Sequence, residues 1–256
     1  LYCAALLPLA ESPPAVCNGH RIPSTLDPLS IDCAPRFGAA LEFSGYRWGI
    51  KEAPDQVGPG ANYFSLDPAD VFVDGEGRLH LRVAYDGTHW RATGVILDAP
   101  ISAPATTPGY GAYVFGTEGD VANLDPNLVF SGFLWDPHGD LEGAGLNPNR
   151  EIDFEASRWG AAQSSLNAQS VVQPFDAPAA NREQFWIPTG PLRWLIGWQP
   201  NLILFQVFQS GKQVYTRTYS GPSIPSAGRT AFHFNLWLRN DPPAPANGSP
   251  AEVLVS

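Results

Sequence analysis

Val71-Phe72-Val73, Asp74-Gly75-Glu76-Gly77 and Arg78-Leu79-His80-Leu81-Arg82-Val83 follow one another without a break. An Asp-Gly turn between two alternating runs is the signature of a β-hairpin. On the second run Leu79, Leu81 and Val83 take one face, and His80 is expected with the two arginines on the other, at the surface. Outward from this hairpin the same grammar recurs. Short apolar or alternating runs span 92–97, 111–115, 128–135, 151–157, 170–173, 194–198, 202–209, 213–219, 231–238 and 252–255, each bounded by turn residues. None carries an apolar stripe at helical spacing. Strand after strand at short intervals predicts an all-β chain with under about a tenth helix, an antiparallel sandwich or barrel.

The 256 residues suffice for a full-sized core. Apolar residues make up 44% and charged ones 16%, which excludes a disordered chain. The 26 prolines and 25 glycines are spread evenly, as turns between strands require. A net charge of −10 repels nucleic acid and anionic membrane surfaces and suits a neutral partner such as carbohydrate. No run of apolar residues is long enough to span a bilayer.

Residues 1–40 are Pro-rich and patternless. They are expected to form an arm, with Leu1–Ala10 resembling the end of a signal peptide's apolar region. The domain proper is expected over 41–256. Three cysteines, Cys3, Cys17 and Cys33, fall in the arm; the odd count leaves either one disulfide, Cys17–Cys33 first, with a spare thiol, or three free thiols.

The chemistry concentrates in Glu151-Ile152-Asp153-Phe154-Glu155. On a strand the three acids share one face while Ile152 and Phe154 enter the core. Three like charges in a row repel, so they bring a structural strand no benefit. Glycoside hydrolysis, by contrast, needs one ionised and one protonated carboxyl about the scissile bond. The Cα atoms of Glu151 and Glu155 would stand roughly 13 Å apart at ~3.3 Å per residue. Retaining enzymes need carboxyls ~5–5.5 Å apart, so sheet curvature and inward-leaning side chains must close the gap. The plainer reading is a solvated strand edge whose acids bind calcium or nothing.

Together with its surroundings, EIDFE resembles the E-[ILV]-D-x-E signature of glycoside hydrolase family 16, the lichenase, laminarinase and xyloglucan endotransglycosylase group. The resemblance covers roughly residues 46–255. Pro59–Phe64 (PGANYF) is similar to an early glycan-contacting loop and Tyr110–Tyr113 (YGAY) to the "YGxY/F" strand. Phe130–Trp135 (FSGFLW) matches the strand before the catalytic one, and Ser165-Leu166-Asn167 the strand after it. Trp194–Gly211 resembles the "hxIxWxPxxIxFYVDG" hairpin and Phe234–Trp237 (FNLW) the late "LNLW" strand.

The resemblance implies a concanavalin A-like jelly-roll sandwich with a glycan cleft on its concave face. It implies Glu151 as nucleophile, Glu155 as general acid/base and Asp153 as the residue that orients and tunes the nucleophile, with retention at the anomeric carbon. The expected function is endo-hydrolysis of a β-linked polysaccharide, a β-glucan first. The alternatives are a transglycosylase with the same residues and a non-catalytic, lectin-like glycan-binding module on the same fold. Trp135, Trp159 and Trp237 are candidate sugar platforms, and Asn62, Asn167 and Gln169 candidate hydrogen-bond partners for hydroxyls. Trp194 and Trp198 are expected in the core. His233 stands open between cleft and core.

Two positions depart from the family pattern. Val114-Phe115-Gly116 replaces a stretch that often carries sugar-contacting Glu and Arg, and Arg150 precedes Glu151. Arg150 and Arg158 beside the acids allow an anionic glycan, against the plainer reading of ion pairs. Asp136–Asp140 reads as a rim loop, since its spacing fits no EF-hand. No metal site, cofactor or catalytic Ser/Cys elbow is expected, although a structural calcium ion stays open. The expected setting is a monomer, secreted or in the cell envelope, whose partner is the polysaccharide.

Overall fold

The computed structural model describes residues 16–17, 20–21, 37–100, 109–136, 150–177, 181–228 and 230–256. The expected Cys17–Cys33 disulfide lies outside the described residues, as does most of the Asp136–Asp140 loop. A two-residue ladder pairs β1 (Val16–Cys17) with β2 (His20–Arg21). The rest is two antiparallel layers, as the alternating runs predict.

One layer orders its strands β3 (Phe37–Phe43), β4 (Tyr46–Lys51), β9 (Trp90–Pro100), β18 (Ala231–Leu238), β11 (Leu128–Trp135), β12 (Ile152–Ala156), β13 (Ala168–Val172) and β14 (Arg182–Phe185). The other runs β7 (Val71–Val73), β8 (Leu79–Tyr85), β19 (Ala251–Val255), β10 (Gly111–Glu118), β15 (Leu192–Gln199), β16 (Leu202–Gln209) and β17 (Lys212–Tyr219). The layers join where β8 pairs with β9 at Ala84–Arg91 and Tyr85–Trp90. The short strands β5 (Ala53–Val57) and β6 (Asn62–Phe64) attach to β9, β6 running parallel to it. Among the described residues the helical content is a single 3-10 turn at Val121–Asn123. None of their helices is long and apolar enough to cross a membrane.

Between the layers lies one large apolar core. Phe154 of β12 meets Trp194 of β15 and Phe205 of β16 at ring-centroid distances of 5.2 and 5.0 Å. Trp194 and Trp198 are fully interior, as their shared strand face suggests. Close approach of the layers depends on Gly132, where an added Cβ would stand 2.4 Å from the Phe115 ring.

The 71–83 hairpin forms with Val71 opposite Leu81, and Leu79, Leu81 and Val83 have no exposed surface. His80 differs from expectation. It is buried, with Nδ1 2.7 Å from Glu252 and Nε2 3.0 Å from Asp74, and its ring is stacked on Phe72. Two carboxylates and an aromatic face satisfy every side of the imidazole, which alternation alone does not reveal. Strand β3 begins at Phe37, so the sheet reaches back into the stretch expected to be arm.

Candidate active site

The alternation of EIDFE is realised on β12. Ile152, Phe154 and Ala156 are almost fully buried in the inter-layer core. The acids therefore point to the opposite, outer face of the first layer, and strand register arranges that face in rows. Asn235, Ser131, Glu155, Gln169 and Gln184 form one row across β18, β11, β12, β13 and β14. The next row holds His233, Phe133, Asp153, Val171 and Arg182. Trp135 lies one step further along β11, and the Gln173 amide donates to the Glu151 carbonyl.

Two glutamines of the β13 segment hold the carboxyls. Gln169 Nε2 donates to Glu155 Oε2 at 2.5 Å, and Gln173 Nε2 donates to Asp153 Oδ2 at 3.0 Å. Burial, reinforced by the charge of Glu151, pushes the Glu155 carboxyl up to about 7, while the Gln169 bond and the Arg182 charge oppose the rise. Asp153 is raised well above the ordinary carboxylate range. Burial is the main cause, followed by the charges of Glu151 and Glu155, and Asp153 is hydrogen bonded to Glu151. Burial thus raises both Asp153 and Glu155, with Glu155 brought to about 7.

Two further groups facing this region are held near or at neutrality. Burial lowers Lys51 to about 7 against the pull of Glu151; its Nζ donates to the Gly58 carbonyl at 2.5 Å and sits 3.9 Å from the Phe64 ring centroid. His233 lies between the rings of Phe133 and Trp135 at 4.8 and 5.5 Å. Its pKa falls to about 3 through burial and the Lys51 charge, opposed by a bond to the Trp135 backbone.

The predicted contact residues divide. Gln169 and Trp135 stand beside the carboxyls. Asn62 and Asn167 do not serve as hydroxyl partners, because the backbone consumes both amides. Asn62, with no exposed surface, donates to Pro59 and Leu238 carbonyls at 2.8 Å and accepts from Leu238 N–H. Asn167 donates to Ala122 and Ile187 carbonyls and accepts from Ile187 N–H at 2.7 Å. Trp237 is on the outer face but only 7% exposed. It packs with Ala53, Phe64, Ala92 and Val129 under Trp159, its Nε1 donating to Ser131 Oγ. Trp159 and Trp237 meet edge to face at 5.8 Å and form a wall at this end of the face. Arg150 is buried in an ion pair with Asp136 at 2.6 Å, and Arg158 donates to Leu124 and Asn123. The ion-pair reading holds for Arg150, while Arg158 bonds only neutral groups among the described residues. Among the described residues no group of three or more His, Cys, Asp and Glu side chains is placed to hold a metal ion.

At the level of sequence no protein-family model and no curated relative matches the chain. Solved structures do. A glycosyl hydrolase family 16 protein from Mycobacterium smegmatis is 17% identical and superposes with a TM-score of 0.56, over 86% of this chain and 93% of its own. A laminarinase from Flavobacterium is 12% identical with a TM-score of 0.56, over 86% and 97%. The fold is that of family 16 glycoside hydrolases. An antigen of Mycobacterium tuberculosis described as a pseudo β-1,3-glucanase shares it at 18% identity and a TM-score of 0.54, over 81% and 88%. Within this fold, EIDFE lies at an inner strand of the first layer, flanked on both sides by hydrogen-bonded neighbours.

Sequence reading missed Gln173 and Lys51. Gln173 could have been found by parity, since it is spaced evenly with Gln169 on a strand expected to pair with the motif.

Proposed function

We propose that the chain is a retaining, endo-acting glycoside hydrolase on a β-linked polysaccharide, a β-glucan in the first instance. The observation that carries this reading is the placement of three carboxyls side by side at one strand, two of them buried and held by Gln169 and Gln173. Glu155, raised to about 7, carries a proton to give to the glycosidic oxygen. Glu151 attacks the anomeric carbon as that bond breaks, forming a covalent glycosyl-enzyme. Asp153, raised by burial and hydrogen bonded to Glu151, orients the nucleophile and releases it as it bonds to carbon. Glu155, now a carboxylate, takes a proton from water, which attacks the same carbon and frees the sugar with its configuration retained. A sugar hydroxyl in place of that water makes the same site a transglycosylase. A polymeric glycan as substrate also favours a secreted or cell-envelope setting.

Chemical rescue tests the assignment. Glu151→Ala with azide should give the α-glycosyl azide and Glu155→Ala the β-azide, from activated β-glucosides. Proton NMR of wild-type hydrolysis should show the β product first. Full activity in both alanine variants overturns the assignment, and an early α product overturns retention. The pseudo-glucanase neighbour favours a second reading, glycan binding without turnover; in that case wild type binds β-glucan oligosaccharides and releases no reducing ends.

A further inference from the structure

We infer that Trp186 and the pocket beside it form a second glycan-binding platform, which takes the polysaccharide where it leaves the Glu155 end of the cleft. The inference rests on the proposed hydrolase reading and extends it to residues outside the catalytic rows.

Among the eight tryptophans, seven are buried or partly covered, and Trp186 alone is exposed, at 56%. A singly exposed apolar side chain is ordinary on a protein surface; this one stands out because it lines a pocket and follows the strand that carries the row of Glu155. Register places Gln184 in the row of Glu155. Trp186 follows two residues on, and the next amide, Ile187 N–H, is still tied to Asn167. With ~4.8 Å between strands and ~3.3 Å per residue, Trp186 Cα lies roughly 12 Å from that of Glu155, on the same face. That is farther than one pyranose ring reaches and within reach of a short oligosaccharide. The wall at Trp237 covers the other end of the Trp186 row.

The chemistry beside the indole is that of a sugar site. A pocket of about 470 Å³ opens there, lined by Trp186, Asn123, Arg158, Ser164, Ser165 and Thr189 among others. Among the described residues the Arg158 guanidinium makes two bonds, each at 3.3 Å, out of the five N–H donors it carries. One apolar face with several converging polar groups is how proteins hold a pyranose, whose ring presents C–H on its face and hydroxyls at its edge. Because Glu155 would protonate the leaving oxygen, this platform holds the leaving portion of the chain.

The test is binding as a function of chain length, in the inactive Glu151→Gln background so that nothing is hydrolysed. Laminari- and cello-oligosaccharides of increasing length are titrated by calorimetry, with and without Trp186→Ala. Longer chains should bind about fivefold more weakly to the alanine variant, the loss of one ring contact, and Trp186→Phe should recover most of it. The shortest oligosaccharides should not distinguish the variants. Equal affinities at every length overturn the platform and leave the hydrolase reading intact. Absence of binding by any glycan of the panel, in either chain, overturns both. Because Trp186 is exposed, thermal melts of the variants should superpose, and a lowered melt with weaker binding at all lengths also overturns the platform.

Discussion

Gln169→Leu isolates the hydrogen bond that restrains Glu155. The substitution keeps the volume of a side chain that is 4% exposed and removes the donor standing 2.5 Å from Glu155 Oε2. That bond favours the carboxylate, so its loss raises the Glu155 pKa above about 7. A hydrogen bond to a charged group contributes roughly 1.5–3 kcal/mol and one pKa unit is about 1.4 kcal/mol, which bounds the shift at roughly one to two units. The neutral acid loses part of the same bond, so the observed shift should fall in the lower half of that range. Glu155 must be protonated to act as acid, so its titration forms the falling limb of kcat/KM against pH. The limb should therefore stand near pH 7 in wild type and move to higher pH in the variant. The rising limb should stay in place. Reducing-sugar assays on soluble β-glucan from pH 4 to 9 measure both limbs. A falling limb that does not move, or moves to lower pH, refutes the assignment of Glu155 as acid or of Gln169 as its restraint.

Asn167→Ala removes three bonds and strands the Ala122 and Ile187 backbone groups in the interior; urea unfolding should show a loss of roughly 2–4 kcal/mol, and a loss below about 0.5 kcal/mol contradicts its clamping role. Asp153→Asn should tilt the dependence of stability on pH. The folded-state pKa of Asp153 is raised, so its contribution is present below its unfolded value of 3.8 and lost as pH rises toward the folded one. His233 acts oppositely, its contribution being lost as pH falls from 6.5 toward about 3. Removing Asp153 should make the slope of urea midpoint against pH more positive above pH 4, and an unchanged slope counts against a raised Asp153.

The strands were legible because period-two alternation is a direct imprint of a two-layer core, as at Leu79, Leu81 and Val83 or Ile152 and Phe154. The carboxyl set was legible for the complementary reason, that three acids on one face have no structural use. Polar contacts were harder to read. Nothing in the letter Asn tells whether its amide will meet a sugar or a backbone carbonyl, and Asn62 and Asn167 both met backbone. Strand β14 was missed because Arg182-Glu183-Gln184 is exposed at every position on the layer's edge, with no alternation to read. Trp186, which follows it, was lost with it.

The interleaving of acids and apolar residues on β12 also bears on how the chain reaches its structure. Sliding β12 by one position against β11 and β13 would exchange its faces, delivering three carboxylates to the space that Ile152, Phe154 and Ala156 fill. Each ion so trapped costs several kcal/mol, more than any misaligned ladder could return. The side chains proposed to cut sugar therefore act earlier as a lock on assembly, rejecting the out-of-step pairing before the cleft exists. Alanine at all three acids would remove that penalty, leaving the loss of Ile152 and Phe154 from the core as what opposes the wrong frame.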